Sequence, residues 1–313
     1  MRGLSSVLVF GMSLCWAQAP SIVGAGFSNP YPVAVAPGQL ITLFVAPGSG
    51  YDASLPLPSI GAVFWNGSAS EGMPIVQVNP TNGACNVPPN SGCTNLLAVT
   101  AQIPFDAPIV PVTGANIVVV PSSVAVSVAG AQSSYAGVQP FSDHVHILTS
   151  CDLIAGGSST FQGYQGVHCA PLVTHPDGSL VSTTHPAAAG EELVAYATGL
   201  GQTNPSLTTG QPTAQSSPTI ATFHLDFNYR PNALATWPVS ASAVALFSGA
   251  TQGFIGLYQI NFIVPPVPAG LAACASAGVT PDVANEIFSN LTVSVGSIFS
   301  FDGAGICVAP SGG

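Results

Sequence analysis

Apolar and polar residues alternate along much of this chain, and that period of two constrains its fold more than any other feature. The alternation is clear in residues 124–128 (VAVSV), 223–229 (FHLDFNY), 258–262 (YQINF) and 291–295 (LTVSV). Successive side chains of a strand point to opposite faces, so each run predicts a strand with one buried face. Turn-rich stretches separate the runs in a chain that has 34 glycines and 29 prolines. The pattern predicts an all-β fold of short antiparallel strands.

The two halves of the chain resemble each other, which indicates an internal duplication. Three pairs of segments match in the same order: 37–45 (PGQLITLFV) with 189–197 (AGEELVAYA), 96–104 (LLAVTAQIP) with 257–265 (LYQINFIVP), and 124–130 (VAVSVAG) with 291–297 (LTVSVGS). The offset grows from 152 to 161 and then to 167 residues, as insertions in loops would produce. We therefore predict two tandem immunoglobulin-like antiparallel β-sandwich domains.

The first 19 residues (MRGLSSVLVFGMSLCWAQA) have the layout of a secretory signal peptide. One cation precedes an apolar stretch, which ends at an A-x-A site at 17–19; cleavage after Ala17 is the alternative, because Pro20 follows that site directly. The expected location is extracellular, cell surface or periplasm. The predicted organisation is a signal peptide at 1–19, a degenerate sandwich at 20–150, a Cys-bracketed linker loop at 151–169 and a second sandwich at 170–310.

Six cysteines remain once Cys15 is assigned to the signal peptide. An even number in an exported chain predicts disulfides. The spacing favours sequential pairing, because the first two pairs would close loops of small and polar residues that bury little surface. The C-x-x-C spacing typical of zinc sites is absent. The predicted disulfides that would staple the domains are Cys85–Cys93, Cys151–Cys169 and Cys274–Cys307.

The chain has almost no cations: Arg2 and Arg230 stand against 12 carboxylates, and the formal net charge is −10. Since Arg2 lies in the signal peptide, no basic patch is left to neutralise phosphates, which excludes nucleic acid as a partner. The same deficit argues against adsorption to anionic lipid. The expected partners are extracellular polysaccharide or an envelope protein, with no cofactor and no transmembrane span in the mature chain.

The second copy carries the most specific strings of the sequence. They are 185–205 (HPAAAGEELVAYATGLGQTNP), 253–270 (GFIGLYQINFIVPPVPAG) and 291–297 (LTVSVGS). Over residues 186–308 the chain resembles an exported bacterial domain family, named from the soil bacterium Solibacter as an uncharacterised C-terminal domain and abundant in Acidobacteria. The resemblance implies a β-sandwich on exported, often surface-associated proteins, and it implies no catalytic residues.

A few residues carry candidate chemistry. His144 and His146, two positions apart on a predicted strand, would share a face and are weak candidates for metal ligands, but the sequence offers no third ligand nearby. Glu191 and Glu192 are adjacent, so they would point to opposite faces and could not flank one substrate bond. Residues 142–144 (SDH) hold the letters of a catalytic triad, but triad members converge from separate elements, and G-x-S-x-G is absent.

Two functional hypotheses follow. The first is a non-catalytic exported cell-envelope or extracellular module for adhesion, polymer binding or structural spacing. The alternative is a secreted hydrolase whose site is assembled from dispersed residues such as Asp143, His144, His175 and Glu192. That alternative requires a histidine and a carboxylate to converge in one pocket.

Overall fold

The structure is a computed structural model that describes residues 19–25, 33–48, 59–81, 96–109, 112–113, 116–117, 122–150, 152, 170–231, 233–235, 242–274 and 289–310. The predicted signal peptide lies outside these residues except for Ala19, and the predicted linker loop does so except for Asp152. Within the described ranges there is no α-helix, and accordingly none that is long and apolar enough to cross a membrane.

The first sandwich contains a four-stranded and a six-stranded sheet. Its strands are β1 (Ser21–Ala25), β2 (Val33–Val35), β3 (Leu40–Ala46), β4 (Ile60–Trp65), β5 (Ser70–Gly72), β6 (Ile75–Thr81), β7 (Leu96–Gln102), β8 (Val112–Thr113), β9 (Asn116–Ile117), β10 (Ser122–Val128), β11 (Ala131–Gln132) and β12 (Ala136–Pro140). The four-stranded sheet has the order β1-β3-β7-β6. The other has the order β2-β12-β10-β4-β5, with β11 on β10, while β8 and β9 pair with each other. The β2–β12 pair is parallel and the others are antiparallel.

The second sandwich repeats this arrangement with a six-stranded and a four-stranded sheet. Its strands are β13 (His146–Ile147), β14 (Val173–Thr174), β15 (Glu192–Thr198), β16 (Ser217–Pro218), β17 (His224–Asn228), β18 (Ala243–Val244), β19 (Phe247–Ala250), β20 (Tyr258–Ile263), β21 (Leu291–Gly296) and β22 (Phe301–Ile306). The six-stranded sheet has the order β13-β15-β20-β19-β16 with β14 on β15. The four-stranded sheet has the order β18-β17-β21-β22.

Each sandwich has its own hydrophobic core. Burial alternates along β20, where Tyr258, Ile260 and Phe262 are fully buried and the residues between them are not. Phe64 and Leu43 are likewise buried in the core of the first sandwich. The period-two pattern marks the core faces of both domains. The expectation of a single buried face is wrong for β10 and β21, whose alternate residues are also buried almost throughout.

The matching sequence segments form equivalent strands with one register. β3 pairs antiparallel with β7, as β15 does with β20. Leu43 lies opposite Val99 and Ala195 lies opposite Ile260, and offsets of 152 and 161 residues convert the first pair into the second. The third matching segments form β10 and β21, which are inner strands of the facing sheets. The prediction of an all-β fold with two tandem antiparallel sandwiches is confirmed.

The change from one sandwich to the next comes before the boundary at residue 150 that the sequence predicts. β12 ends at Pro140 in the first sandwich, and His146 and Ile147 already pair with Thr198 and Ala197 in the second. The boundary moves because β13 has only two residues, too few to show a period, and its partner strand is distant in the sequence.

One of the three predicted disulfides falls on described residues. Cys274 and Cys307 are both thiols, and their side chains contact each other. Cys85, Cys93, Cys151 and Cys169 lie outside the described ranges. All three pairings remain predictions.

Candidate functional site at the joint between the sandwiches

Hydrogen bonds from buried side chains join the two sandwiches. The fully buried Gln102 accepts the Gly210 N–H at 2.7 Å and donates to the Gly38 carbonyl at 3.2 Å. The Phe105 N–H donates to Oγ1 of Thr209 at 3.0 Å. A buried amide that loses such partners costs about 1–3 kcal/mol, so these contacts hold the sandwiches in a defined arrangement.

The ATGLG string, which is the end of β15 and the three residues after it, fits closely against the segment linking the sandwiches. Gly199 and Gly201 both have positive φ, and a Cβ added there would lie 1.9 Å from the His144 carbonyl oxygen and 2.0 Å from that of Ser142. The Tyr258 hydroxyl, from the GLYQIN string, donates to the Gly201 carbonyl at 2.6 Å. The two most specific strings of the sequence therefore meet here, and only glycine allows the backbones to approach.

Gln39 of the first sandwich fixes His144 at this joint. The Ala36 N–H donates to Oε1 of Gln39 at 2.8 Å, which orients the amide. Nε2 of Gln39 can then only donate, and it lies 3.2 Å from Nδ1 of His144 and 3.3 Å from the His144 carbonyl. Burial and the charge on His146 lower the pKa of His144. His144 is therefore a neutral imidazole with its proton on Nε2.

His146 has the opposite charge state. Its Nε2 lies 3.1 Å from Oδ2 of Asp152, and its Nδ1 lies 3.5 Å from Oδ2 of Asp302. Burial alone would lower the pKa of His146, but the two carboxylates outweigh it and raise the pKa to about 9. Asp302 also accepts the Ile147 N–H at 2.8 Å, so it holds the edge of β13. At neutral pH this is a fixed imidazolium–carboxylate cluster.

A cavity of about 220 Å³ opens beside these histidines. It lies between the sandwiches, because both contribute to its walls. The first sandwich contributes Ala25, Val33, Gln39, Leu40, Ile41 and Thr42, and the second contributes His144, His146, Thr198, Phe301 and Asp302. The structure thus brings the two sequence-predicted histidines to one cavity. It also gives both rings other partners, and among the described residues no group of three His, Cys, Asp or Glu side chains could hold a metal ion.

Asp143 is a buried structural carboxylate. It accepts hydrogen bonds from the hydroxyls of Ser142 at 2.9 Å, Ser297 at 2.5 Å and Ser300 at 2.9 Å. Ser300 in turn accepts the Val145 N–H at 2.8 Å. The residue is only 1% exposed, so this network ties the linking segment to the β21–β22 turn and leaves no carboxylate surface for a substrate.

His175 forms a separate cluster in the second sandwich. Its Nδ1 donates to Oε1 of Glu191 at 2.6 Å and its Nε2 donates to the His185 carbonyl at 3.2 Å, while the two imidazole centroids stack 4.0 Å apart. Burial opposes protonation, but the Glu191 carboxylate raises the pKa of His175. Ser179 contacts His185 rather than His175. With both nitrogens donating, His175 has no lone pair with which to act as a general base.

The paired glutamates point apart as predicted. Glu191 binds His175 and the Ala188 N–H, whereas Glu192 is exposed and accepts from Nδ2 of Asn261 at 3.0 Å. Asp143, His144, His175 and Glu192, which the hydrolase hypothesis combines, therefore have different hydrogen-bond partners.

Three residues of this site, Gln39, Asp152 and Asp302, are not predicted from the sequence. The duplication could have indicated Gln39, because it aligns that residue with Glu191 of the second copy. Asp152 lies only six residues after His146, whereas Asp302 is distant in the sequence and meets His146 only in the folded chain, so it had no signal.

No protein-family model and no curated protein matches this chain. Among solved structures it is similar to a chimeric titin Z1Z2 functionalized with a KLER exogenous peptide from decorin, with 11% identity, a TM-score of 0.18, and coverage of 95% of this chain and 99% of that one. Structures described as BspA_C_mut and BspA_C_WT show 8% and 9% identity, TM-scores of 0.20 and 0.17, and coverage of 94% and 93% of this chain and 98% and 99% of theirs. At such TM-scores the likeness supports no inference about function. The Solibacter-type resemblance remains a prediction.

Proposed function

We propose that this chain is a non-catalytic exported module of the cell envelope or extracellular space, in which two joined sandwiches serve adhesion, polymer binding or structural spacing. The observation that carries the proposal is the state of His175, whose two ring nitrogens both donate hydrogen bonds within the fold. A hydrolase site built from a histidine and a carboxylate, as the alternative hypothesis requires, needs a histidine that can accept a proton from the nucleophile or from water. This histidine is a structural part of the second sandwich.

The joint supports a module that acts as one unit. Gln102 and Gln39 are almost completely buried, and each hydrogen-bonds groups on the far side of the joint. Domains that move independently meet through exposed, adaptable contacts, whereas buried amides have to keep their partners. A fixed arrangement suits a spacer or a binding surface that spans two domains.

Net charge indicates the class of partner. The chain carries a formal charge of −10 and one arginine after the signal peptide. Anionic polymers would be repelled, so the favoured partner is a neutral extracellular polysaccharide, with an envelope protein as the other candidate.

A co-sedimentation assay tests the proposal. The mature chain from Pro20, made in an oxidising compartment, is mixed with insoluble neutral polysaccharides and with envelope fragments, and the supernatant is assayed for released sugar. We expect retention in the pellet without release. Release that increases with time in the wild type and disappears in His175→Gln would overturn the proposal. Absence of both retention and release would remove polymer binding and leave structural spacing.

A further inference from the structure

Two polar groups at the joint have no partner among the described residues. Gln39 occupies Nδ1 of His144, and the Nε2–H of that ring donates to none of the groups that the structure describes. Thr198 is 1% exposed, and within the same described ranges its hydroxyl also makes no hydrogen bond. Neither atom is sealed in the packed interior, and both residues line the cavity described above, so both groups are available to a ligand.

Both groups line the cavity of about 220 Å³ described above. Leu40 and Phe301 give that cavity apolar walls, and the His146–Asp302 pair lies at its side. A few directed polar groups set in apolar walls are the usual composition of a small-molecule site. The cavity also forms where the fixed joint holds residues of both sandwiches in place.

We propose that this cavity binds one residue of a neutral, hydroxyl-rich ligand, the end or a branch of a polysaccharide. The His144 Nε2–H donates to a ligand hydroxyl, and the Thr198 hydroxyl exchanges a hydrogen bond with another. The inference rests on the proposed function, because it assigns a site and a ligand class to polymer binding.

Size and charge select this ligand class. The cavity is smaller than the ~300 Å³ at the lower end of pockets for drug-sized ligands, which suits a single sugar unit rather than an oligomer. Two carboxylates, Asp152 and Asp302, flank the single positive charge of His146, so the surroundings disfavour an anion. Oδ2 of each carboxylate is engaged with His146, and neither Asp152 Oδ1 nor any other Asp152 atom lines the cavity. The apolar ring of Phe301 complements the C–H face of a sugar.

Nuclear magnetic resonance of the histidine nitrogens tests the site in the unmodified protein. The mature chain, labelled with ¹⁵N-histidine, is titrated with methyl glycosides of glucose, galactose, mannose and xylose. We expect at least one glycoside to shift the Nε2 signal of His144 in a saturable way and to leave His175 unchanged. Absence of a saturable shift with every glycoside overturns the proposal. Equal affinity for the methyl glycoside of glucuronic acid overturns the assignment of a neutral ligand.

A pair of threonine variants locates the binding. Thr198→Val removes the hydroxyl from the cavity and is expected to weaken glycoside binding about fivefold to tenfold. Thr174→Val is the matched control, because Thr174 is also a buried strand threonine of the same sheet but does not line the cavity. Circular dichroism establishes that both variants fold. Equal affinities for the two variants would overturn the assignment to this cavity.

The two proposals fail in different ways. If polysaccharide retains the protein in the pellet but no glycoside shifts the Nε2 signal of His144, the assignment to the cavity is wrong and the protein binds polymer through another surface. If neither happens, the polymer-binding role and the cavity both fail.

Discussion

Gln39 and Glu191 occupy equivalent positions in the two sandwiches, and each side chain accepts the backbone N–H of the residue three positions earlier at 2.8 Å. The donors are Ala36 and Ala188, which are related by the same offset of 152 residues. The other end of each side chain contacts Nδ1 of a histidine. The duplication thus extends from strand register to a side-chain motif.

The difference between the two copies lies in one functional group. The Gln39 amide donates to His144, whose pKa is lowered by burial and by the charge on His146, whereas the Glu191 carboxylate accepts from His175 and favours its protonated form. The first copy therefore leaves a neutral donor at the joint. The second copy forms an internal ion pair that strengthens one domain.

Exchanging the two functional groups should exchange the charge states. Glu191→Gln removes the carboxylate that favours protonation, so the pKa of His175 should fall toward or below its ordinary value. Gln39→Glu should raise the pKa of His144, and it should cost about 1–3 kcal/mol of stability because the new carboxylate faces the His144 carbonyl. Titration of the imidazole ¹⁵N signals measures both shifts.

Glu192→Gln is the control for this exchange. It removes the neighbouring carboxylate, which binds Asn261 and no histidine. The pKa of His175 should stay unchanged in this variant. A fall as large as that in Glu191→Gln would show that general charge, and not the hydrogen bond, sets the state of His175.

The His146 cluster should make stability depend on pH. Burial opposes the charge on His146, but Asp152 and Asp302 raise its pKa from 6.5 to about 9. A group whose pKa is raised in the folded state makes its full contribution to stability at pH values below its unfolded-state pKa. That contribution disappears as the pH rises through its folded-state pKa. The free energy of unfolding should therefore fall by up to about 3 kcal/mol between pH 6.5 and 9. Urea denaturation over this pH range should show a smaller fall in the free energy of unfolding for Asp302→Asn than for the wild type. An equal dependence on pH in the two proteins would contradict this role.

The backbone at Gly199 should be sensitive to a single added methyl group. Gly199→Ala places a Cβ 1.9 Å from the His144 carbonyl oxygen, whereas Gly178→Ala, also at positive φ, meets nothing within 4 Å. Both variants incur about 1–2 kcal/mol of backbone strain. We expect Gly199→Ala to lose at least about 2 kcal/mol more than Gly178→Ala in thermal or urea unfolding. Equal losses of stability in the two variants would mean that the backbones at the joint can move apart to accommodate the methyl group at no cost in stability.

Cys274 and Cys307 should be linked when the chain is made in an oxidising compartment. Their side chains touch, and Asn290 holds the neighbouring segments together by donating to the Ala272 and Val308 carbonyls at 2.9 and 2.8 Å. A disulfide-donating oxidoreductase of that compartment would accept the two electrons and two protons of the thiols.

Peptide mapping without reductant checks this link, with pepsin because the mature chain has no lysine and its arginine precedes a proline. Cys307→Ser should lower stability by about 3 kcal/mol in the oxidised protein. Free thiols at both positions in protein made in an oxidising compartment would show that the pairing is wrong.

More of the fold than of the candidate site can be predicted from the sequence. Alternation in residues such as 258–262 marked the strands, and the duplication anticipated the register of β3 with β7 and of β15 with β20. The site depends on long-range contacts that no local pattern encodes. Gln39 and His144 are 105 residues apart and meet only when the sandwiches dock, and His175 finds Glu191 through the pairing of β14 with β15.

The central claim is that two sandwiches form one unit with a binding site at their joint, and residual dipolar couplings test it most directly. Backbone N–H couplings from residues 33–140 and 170–308 of the mature chain would be fitted separately. We expect a single alignment tensor to fit both sandwiches, and Gln102→Ala to separate the two tensors by releasing the Gly210 contact. Two different tensors in the wild type would show that the sandwiches move independently and would contradict the claim.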